Sequence, residues 1–388
     1  MNAVAYKSLY WYEISSKTAS ILTHFIVFLL TACILPVGLN LCQAESDTSK
    51  RRIFIVSSYD RDYLWSQSTH AGVTAAMLRY GYIDNETQLQ TFTASDYLES
   101  SRAIVKKAWM DTKRHNSVTE IAAATLRIMG EVEQFQPDLV LLGDDNAANY
   151  IGNQLLDTDI PVVFWGINSL PLKYGLVDSM DRPGHNVTGV WQAGYYKESM
   201  DLLHTLVPSA RTFAVLACNS VTARPKVKQI VALDRQGKLP LKLVAIVQTN
   251  SYEEFQYRVL ELAEQVDAFF VLNHDTMRDA QGHHVDMLTV GRWYLRYIRK
   301  PEASHEDQFV REGMLLAAND SGYNQAYTAF EMAYDILEQG LNPGLMRTKT
   351  PPRGPLMVNR RRAEMLGIDL EDKLDIIDEI VVEALALD

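Results

Sequence analysis

The chain has few cysteines, no long basic block and no glycine-rich phosphate loop, and each shortage excludes a class of protein. It has 3 cysteines in 388 residues, and only Cys218 would remain after a cut at Ala44. That leaves no intrachain disulfide and no cysteine-based metal site. The formal net charge is -11, and no basic block stands out beyond Arg360 to Arg362. This charge argues against nucleic acid as a partner, since phosphate binding needs a face rich in lysine and arginine.

The composition is that of a folded, globular chain. Hydrophobic residues make up 47% of it and charged residues 22%. A chain of this length and composition can bury a large core as two domains. No motif predicts a cofactor or a resident metal.

The N-terminal segment, 1–44, predicts a signal peptide or a membrane anchor. An apolar run over 21–41 follows Lys7 and Lys17. Three interpretations stay open: cleavage after Ala44, a lipoprotein site at Cys33, or an uncleaved anchor. All three predict a periplasmic or other extracytoplasmic location for the bulk of the chain, with membrane contact only through this segment.

From residue 51 onward, short apolar runs alternate with helical patterns, which is typical of parallel α/β folds. In the first half we expect strands at 52–57, 89–93, 139–143 and 162–166, with helices at 66–80, 117–135 and 147–156. In the second half we expect strands at 212–217, 241–248, 268–272, 314–318 and 356–358, with helices at 221–233, 251–265, 322–339 and 360–366. The pattern predicts two doubly wound parallel-sheet lobes joined by hinge crossings near 186–190. Lobe one would hold 51–188 plus 315–345, and lobe two 189–314 plus 346–388.

Polar residues follow nearly every predicted strand. Ligands of open parallel sheets bind at the carboxyl ends of the strands, so these residues are candidates for a shared binding cleft. The alternative is that each cluster only caps a helix, because Asp, Asn and Ser are the preferred N-cap residues. The predicted ligand-binding residues are Ser58, Tyr59, Trp65, Asp144, Asp145, Asn146, Asn168, Asn219, Asn273, Asp275 and Asp320.

The acidic residues in this set bear on the ligand. Asp144, Asp145, Asp275 and Asp320 favour a cationic or amino-bearing group, whereas asparagines and helix N-termini suit a carboxylate. An amino acid or a related amine or zwitterion satisfies both. The other class considered is a metal-dependent hydrolase in which the acidic strand ends chelate a divalent ion, although no His/Glu spacing completes such a site. We therefore expect no catalytic residue.

Several motifs resemble a known family. They are P-V-V-F-W-G-I-N over 161–168, Y-G-L-V over 174–177, N-V-T-G-V over 186–190, D-T-K-R over 111–114 and A-E-M-L-G-I over 363–368. As a set, these motifs resemble the substrate-binding proteins of ABC-type transport systems, in a group related to members that bind aromatic amino acids. The resemblance covers residues 51 to about 378.

The resemblance implies a type I periplasmic-binding fold that closes on a small ligand by hinge motion. It also implies an ABC permease or a membrane sensor protein as the partner that receives the closed form. The function that it predicts is that of an extracytoplasmic solute-binding protein without enzymatic activity.

Overall fold

The computed structural model of the chain describes residues 50–387, in which two mostly parallel sheets carry helices on their faces. The predicted leader or anchor at 1–44 lies outside the described residues. Within residues 50–387, none of the helices combines the length and the apolar character that a membrane crossing requires.

The first sheet has six strands in the order β2-β3-β1-β4-β5-β6. Its strands are β1 (Arg51–Ser57), β2 (Tyr97–Glu99), β3 (Ala103–Trp109), β4 (Leu139–Gly143), β5 (Val162–Ile167) and β6 (Val187–Trp191). Only the β2–β3 pair is antiparallel. Ser57 pairs with both Trp109 and Gly143, so the carboxyl ends of β3, β1 and β4 lie at one edge of the sheet.

Between residue 50 and β6 the structure describes four helices, besides a short 3-10 turn at Pro171–Tyr174. They are α1 (Leu64–Arg79), α2 (Glu86–Ala94), α3 (Val118–Phe135) and α4, which spans 144–155 and contains a π-helical stretch, Ala147–Gly152. The capping box of α3 is complete, because Ser117 and Glu120 bond each other's backbone N–H groups.

The second sheet has seven strands in the order β13-β12-β11-β10-β9-β7-β8. In chain order the second half contains α5 (Tyr196–Leu206), β7 (Thr212–Ala217), α6 (Ala223–Arg235), β8 (Lys242–Gln248), α7 (Tyr252–Ala263), β9 (Ala268–Val271), α8 (Met287–Tyr297), β10 (Glu302–Ser304), α9 (Asp307–Glu312), β11 (Leu316–Ala318), α10 (Gly322–Gln339), β12 (Leu356–Asn359), α11 (Arg360–Leu366) and β13 (Glu379–Val381).

The chain passes between the two sheets more than once. It leaves the first sheet after β6 and returns after β11, because α10 packs on α1 and on β5 of the first sheet. It then re-enters the second sheet at β12. The α/β prediction with hinge crossings is therefore confirmed. The lobe boundaries remain a proposal, with two observations to add: the first sheet extends through Trp191, and Leu316–Ala318 lies in the second sheet.

One predicted element is wrong. The segment 89–93, expected as a strand, lies inside α2. The Asn85 side chain accepts a hydrogen bond from the Gln88 backbone N–H and caps the helix, and Phe92 is the only buried residue of α2. A strand at this position would need an alternating buried face, which the side chains do not provide. Its place in the sheet is taken by β3. The apolar pattern of β3 was not recognised as a strand because Lys106 and Lys107 interrupt it.

Candidate functional site

The carboxyl-end loops of the two sheets enclose a small cavity. Its volume is about 10 Å³, which is room for about one water molecule. The cavity is lined by Tyr59, Tyr63, Trp65, Asp144, Asn168, Gln192, Thr222, Lys226, Asn273, Glu306 and Gln308. An adjoining cavity of about 300 Å³ shares Tyr59 and Thr222 with it and extends past Asn146 and Asn219.

Lobe one contributes three aromatic side chains to the small cavity. Tyr59 and Tyr63 follow β1, and their rings meet edge to face with centroids 5.1 Å apart. Trp65 lies in the first turn of α1, and its indole N–H donates to Asp144 Oδ1 at 2.7 Å. Burial raises the pKa of Tyr59 and of Tyr63 well above 10, so both hydroxyls are neutral. The walls on this side are thus flat, largely apolar faces with hydroxyl and indole N–H donors.

Asp144 follows β4 in a backbone conformation that is unusual for its residue type. Its φ is 70°, in the left-handed region that non-glycine residues seldom adopt. The neighbouring β5 accommodates its carboxyl group only because residue 166 is glycine: a Cβ on Gly166 would lie 2.5 Å from Asp144 Oδ1. Strain of this kind is typical of functional positions.

The Asp144 carboxyl group is buried and has no cationic partner in the cavity. Lys113 and Lys226, the nearby lysines, are each paired with a different carboxylate. Burial raises the pKa of Asp144 well above its usual value, against the lowering effect of the Trp65 hydrogen bond. A cationic ligand group would therefore find its counter-charge here.

Three amide side chains of the cavity share one arrangement. The Asn168 amide donates to Asp145 at 2.8 Å, the Asn273 amide donates to Asp275 at 2.9 Å, and the Gln308 amide donates to Glu306. Because a carboxylate only accepts, the amide must turn its NH2 group toward it, and each pairing therefore orients the amide and leaves its carbonyl oxygen free. These three oxygens, together with Gln192 Oε1, are buried without a hydrogen-bond partner. The cavity is therefore rich in acceptors and suited to a ligand that donates hydrogen bonds.

The charges that lobe two brings to the cavity are paired with one another. Lys226 Nζ lies 2.5 Å from Glu306 Oε1, and His305 Nε2 lies 2.9 Å from the same oxygen. Burial opposes ionisation of Glu306, but the Lys226 ammonium outweighs it and lowers the Glu306 pKa below its usual value. This pair forms a buried, neutralised network beside the cavity.

Three polar contacts join the two lobes next to the cavity. Lys113 Nζ of lobe one lies 2.9 Å from Asp275 Oδ2 of lobe two, and the Tyr63 hydroxyl donates to the same oxygen. The Tyr59 hydroxyl lies 3.1 Å from Thr222 Oγ1. Burial would raise the pKa of Asp275, but the Lys113 ammonium and the hydrogen bonds from Tyr63 and Asn273 lower it to about 2. Asp275 is thus ionised, and its carboxylate links lobe two to Lys113 and Tyr63 of lobe one.

The predicted site residues fall into two groups. Those that line the small cavity are Tyr59, Trp65, Asp144, Asn168 and Asn273. Asn146 and Asn219 line the adjoining cavity. Ser58, Asp145, Asp275 and Asp320 do not appear among the residues that line the small cavity.

The predicted residues that line neither cavity support the site by hydrogen bonds. Ser58 Oγ donates to the Gly143 carbonyl and accepts from the Ala147 N–H. Both oxygens of Asp145 are used by Asn168, and one also accepts from the Tyr174 hydroxyl. The Asp320 carboxylate accepts from the Gly194 N–H and from the Gln325 amide. These contacts hold the strand-end loops in place.

Six lining residues were not predicted as ligand-binding: Tyr63, Gln192, Thr222, Lys226, Glu306 and Gln308. Tyr63 stands near the first predicted strand end, which was a usable signal. Glu306 and Gln308 follow β10, a buried strand of three residues that is too short and too polar to be recognised by pattern. Lys226 lies inside α6, where an isolated lysine normally indicates a solvated face.

The metal-site alternative can be compared with this geometry. Asp145 and Asp275 are each committed to hydrogen bonds within different loops. In the part of the chain that the structure describes, no group of three or more His, Cys, Asp and Glu side chains is placed to hold a metal ion.

Comparison with known proteins identifies the family. Residues 101–381 match the family described as ABC transporter substrate binding protein, which confirms the resemblance. A tyrosine-binding protein of Clostridioides difficile is 22% identical over 210 residues, covering 54% of this chain and 58% of that relative. The chain thus spans less than two thirds of the length of this curated relative.

Solved structures show the same fold. The ABC domain from Streptococcus pneumonia in complex with L-Trp has a TM-score of 0.67 at 18% identity, covering 86% of this chain and 100% of that one. An open, ligand-free substrate binding protein with adhesive properties from Clostridium difficile has a TM-score of 0.60 at 19% identity, covering 86% and 99%. The members of the family are extracytoplasmic binding proteins and not enzymes. The chain belongs to the ABC transporter substrate binding protein family.

Proposed function

We propose that the protein binds an amino acid, or a related amine or zwitterion, between its two lobes and presents it to an ABC permease or a membrane sensor. The observation that carries the proposal is the buried Asp144 carboxyl group, which has no ion-pair partner in the cavity. A ligand ammonium group supplies the missing charge and restores the ionised form of Asp144.

The acceptor atoms around Asp144 support an amino group as the ligand's cation. An ammonium group donates three hydrogen bonds: one would go to Asp144, and the unpartnered oxygens of Asn168, Asn273 and Gln308 offer acceptors for the other two. Because each of these amides is oriented by a carboxylate, the acceptors are preorganised. A sugar hydroxyl could also use them, but would leave Asp144 without a counter-charge.

The other end of a zwitterion has suitable partners in lobe two. Thr222 stands at the N-terminus of α6, whose first N–H groups favour an anion. Tyr59, Tyr63 and Trp65 supply flat faces for an aromatic side chain. The tyrosine-binding relative and the fold neighbour in complex with L-Trp agree with this choice of ligand class.

Binding requires the lobes to separate and close again. A cavity of about 10 Å³ cannot hold an amino acid, and ligand pockets of known proteins begin at about 300 Å³. Opening would break the contacts of Asp275 with Lys113 and Tyr63, and that of Tyr59 with Thr222. The proposed receiver, a permease or a sensor, would recognise the closed form. The proposed address is extracytoplasmic, with residues 1–44 as leader or anchor.

The test is a ligand panel measured by thermal shift and by isothermal titration calorimetry on the full-length protein. The panel contains the common amino acids, their decarboxylated amines, their deaminated acids and divalent cations. At least one amino acid should raise the melting temperature, because a ligand that binds only the native state stabilises it. The panel would contradict the proposal if only a divalent cation, or nothing, raised the melting temperature.

Asp144→Asn tests the role of the carboxyl group. We expect a loss of about tenfold to a hundredfold in amino acid affinity, the effect of removing a charge-assisted hydrogen bond of about 1.5–3 kcal/mol. The deaminated acid should bind the variant as it binds the native protein. Asp181→Asn is the matched control, since that carboxylate is 77% exposed and pairs with Arg347 at the surface. Equal amino acid affinity in Asp144→Asn and Asp181→Asn would remove Asp144 from the site.

The receiver can be tested in the source cell. Deleting the protein should abolish uptake of the radiolabelled ligand if a permease receives it. Intact uptake together with a lost response to the ligand would assign it to a sensor. No change in either would exclude both receivers.

A further inference from the structure

A second cavity lies on lobe one, outside the space between the lobes. It has a volume of about 660 Å³ and opens between α1 and α2, with β3 as its floor. This volume is within the range of about 300–1,000 Å³ that small-molecule sites occupy. None of its lining residues lines the two interlobe cavities described above.

Lys107 on the floor of this cavity is a buried cation without a carboxylate. Its exposed fraction is 4%. The ammonium donates to the Phe92 carbonyl at 2.7 Å and lies 3.9 Å from the centre of the Phe92 ring. Among residues 50–387 no carboxylate lies within ion-pair distance of the Lys107 ammonium. The nearby acid, Asp96, instead pairs with Arg61 and accepts a hydrogen bond from the Trp109 indole N–H. A buried charge that is unpaired is costly, so an anion here would be stabilised.

Two further polar atoms beside Lys107 lack partners. Ser66 Oγ and His70 Nδ1 are buried, line the cavity and form no hydrogen bond. The other ring nitrogen of His70 is bonded to Ser57 Oγ at 2.9 Å. Burial, together with the nearby positive charges of Lys107 and Arg61, lowers the pKa of His70 to about 3, so the imidazole is neutral.

Most of the remaining cavity surface is apolar, although the side chains of Arg61, Gln67, Thr74, Gln90 and Thr93 also line it. The Trp109 ring packs on His70 with centroids 4.7 Å apart, and the walls include Leu78 and Leu89. Ala71 and Ala75 on α1 are small, which leaves the groove open. The acidic residues that line the cavity, Asp62 and Glu86, are exposed to solvent. The cavity therefore combines a largely apolar wall with one buried cation, the Lys107 ammonium, that can pair with an anion.

We propose that this cavity is a second ligand site, which binds a small apolar or aromatic carboxylate. The carboxylate would meet the Lys107 ammonium and the Ser66 hydroxyl, and the hydrocarbon part would lie against Trp109, Leu78 and Leu89. The site is independent of the interlobe cavity, and its ligand need carry no amino group.

The probe is 4-phenylbutyrate, titrated into the full-length protein by calorimetry, with 4-phenylbutanol as the uncharged analogue. We expect saturable binding of the acid and at least about tenfold weaker binding of the alcohol, since the charge-assisted contact is lost. Lys107→Met should weaken binding of the acid by a similar factor. Ala71→Trp, at an exposed helix position, should fill the groove and abolish binding without touching the core.

The outcomes separate this site from the interlobe site. Loss of 4-phenylbutyrate binding in Ala71→Trp, with amino acid binding retained, supports the second site even if Lys107→Met fails to fold. The proposal is overturned if 4-phenylbutyrate does not bind saturably, if Ala71→Trp binds it normally, or if the alcohol binds as well as the acid. Failure of the amino acid panel would leave these results unchanged, because the two tests use different probes and variants.

Discussion

The two lobes differ in the charged groups that they present to the interlobe cavity. Lobe one presents aromatic rings and one carboxyl group, Asp144, without a cation. Lobe two presents Lys226 and Glu306, which already neutralise each other. The difference agrees with the proposed function: a ligand cation would meet the unpaired Asp144 carboxyl group on lobe one, whereas the Lys226–Glu306 pair on lobe two is already neutralised. Three experiments test this difference between the lobes.

The largest expected effect is on stability, from breaking the pair on lobe two. Lys226→Met leaves Glu306 buried without its main counter-charge, which should lower the free energy of unfolding by about 3–5 kcal/mol. Urea denaturation at pH 7 measures it. The matched control is Lys197→Met, because the Lys197–Asp201 pair is half exposed and should contribute at most about 1 kcal/mol.

The double variant Lys226→Met/Glu306→Gln should regain much of the lost stability, since it removes the orphaned charge as well. If Lys226→Met and Lys197→Met cost the same, the pair on lobe two is not the stabilising network described.

The next effect is a pH dependence of the free energy of unfolding that arises from Asp320, where the chain crosses between the lobes. Burial raises the pKa of Asp320 from 3.8 to about 7, against the hydrogen bond from the Gly194 N–H. The native state therefore keeps a proton that the unfolded chain loses near pH 4. Between about pH 4 and 7, the stability of the native protein should fall relative to Asp320→Asn as pH rises, by up to about 1.4 kcal/mol per pH unit.

Denaturation curves of both proteins at four pH values across this window measure the difference, which should become constant above pH 7. A difference that is flat throughout the window would mean that Asp320 is ionised in the native protein and that its environment is more polar than its burial indicates.

The smallest expected effect concerns the contact between the lobes. Tyr63→Phe removes the hydroxyl that donates to Asp275 and leaves Lys113 in place. Loss of one such bond should shift the balance toward the open form by about 1 kcal/mol, or roughly fivefold. Fluorescence energy transfer between dyes on the outer helices of the two lobes reports the populations. Tyr257→Phe is the control, because that ring is exposed on α7; an equal shift in both would assign the change to something other than the cross-lobe bond.

The sequence predicted the elements whose patterns are strong and local. Apolar runs at 139–143, 162–166, 212–217 and 268–272 are strands, and 117–135 and 322–339 are helices, close to the predicted bounds. It failed where tertiary contacts override the pattern. The segment 89–93 is helical, and β3 was missed because Lys107 is a buried lysine inside a strand. Burial of a charged side chain depends on distant partners, which a local pattern does not contain.

The candidate site shows the same limit. Asp144, Asn168 and Asn273 could be proposed because they follow recognisable strands, and they line the small cavity. Glu306 and Gln308 could not, since the strand before them has three polar or small residues and is recognised only by its pairing with β9 and β11. Whether the predicted residues bind ligand stays a prediction.

The alternation of apolar strands with amphipathic helices is written in the local sequence, and it predicts an α/β chain with polar residues at its strand ends. Which strand ends meet across the lobes, which carboxylate is paired and how each amide is oriented follow from the folded arrangement of the chain. Strand and helix periodicity is a property of neighbouring residues, whereas charge pairing and hydrogen-bond orientation depend on groups that can lie more than two hundred positions apart, such as Tyr63 and Asp275.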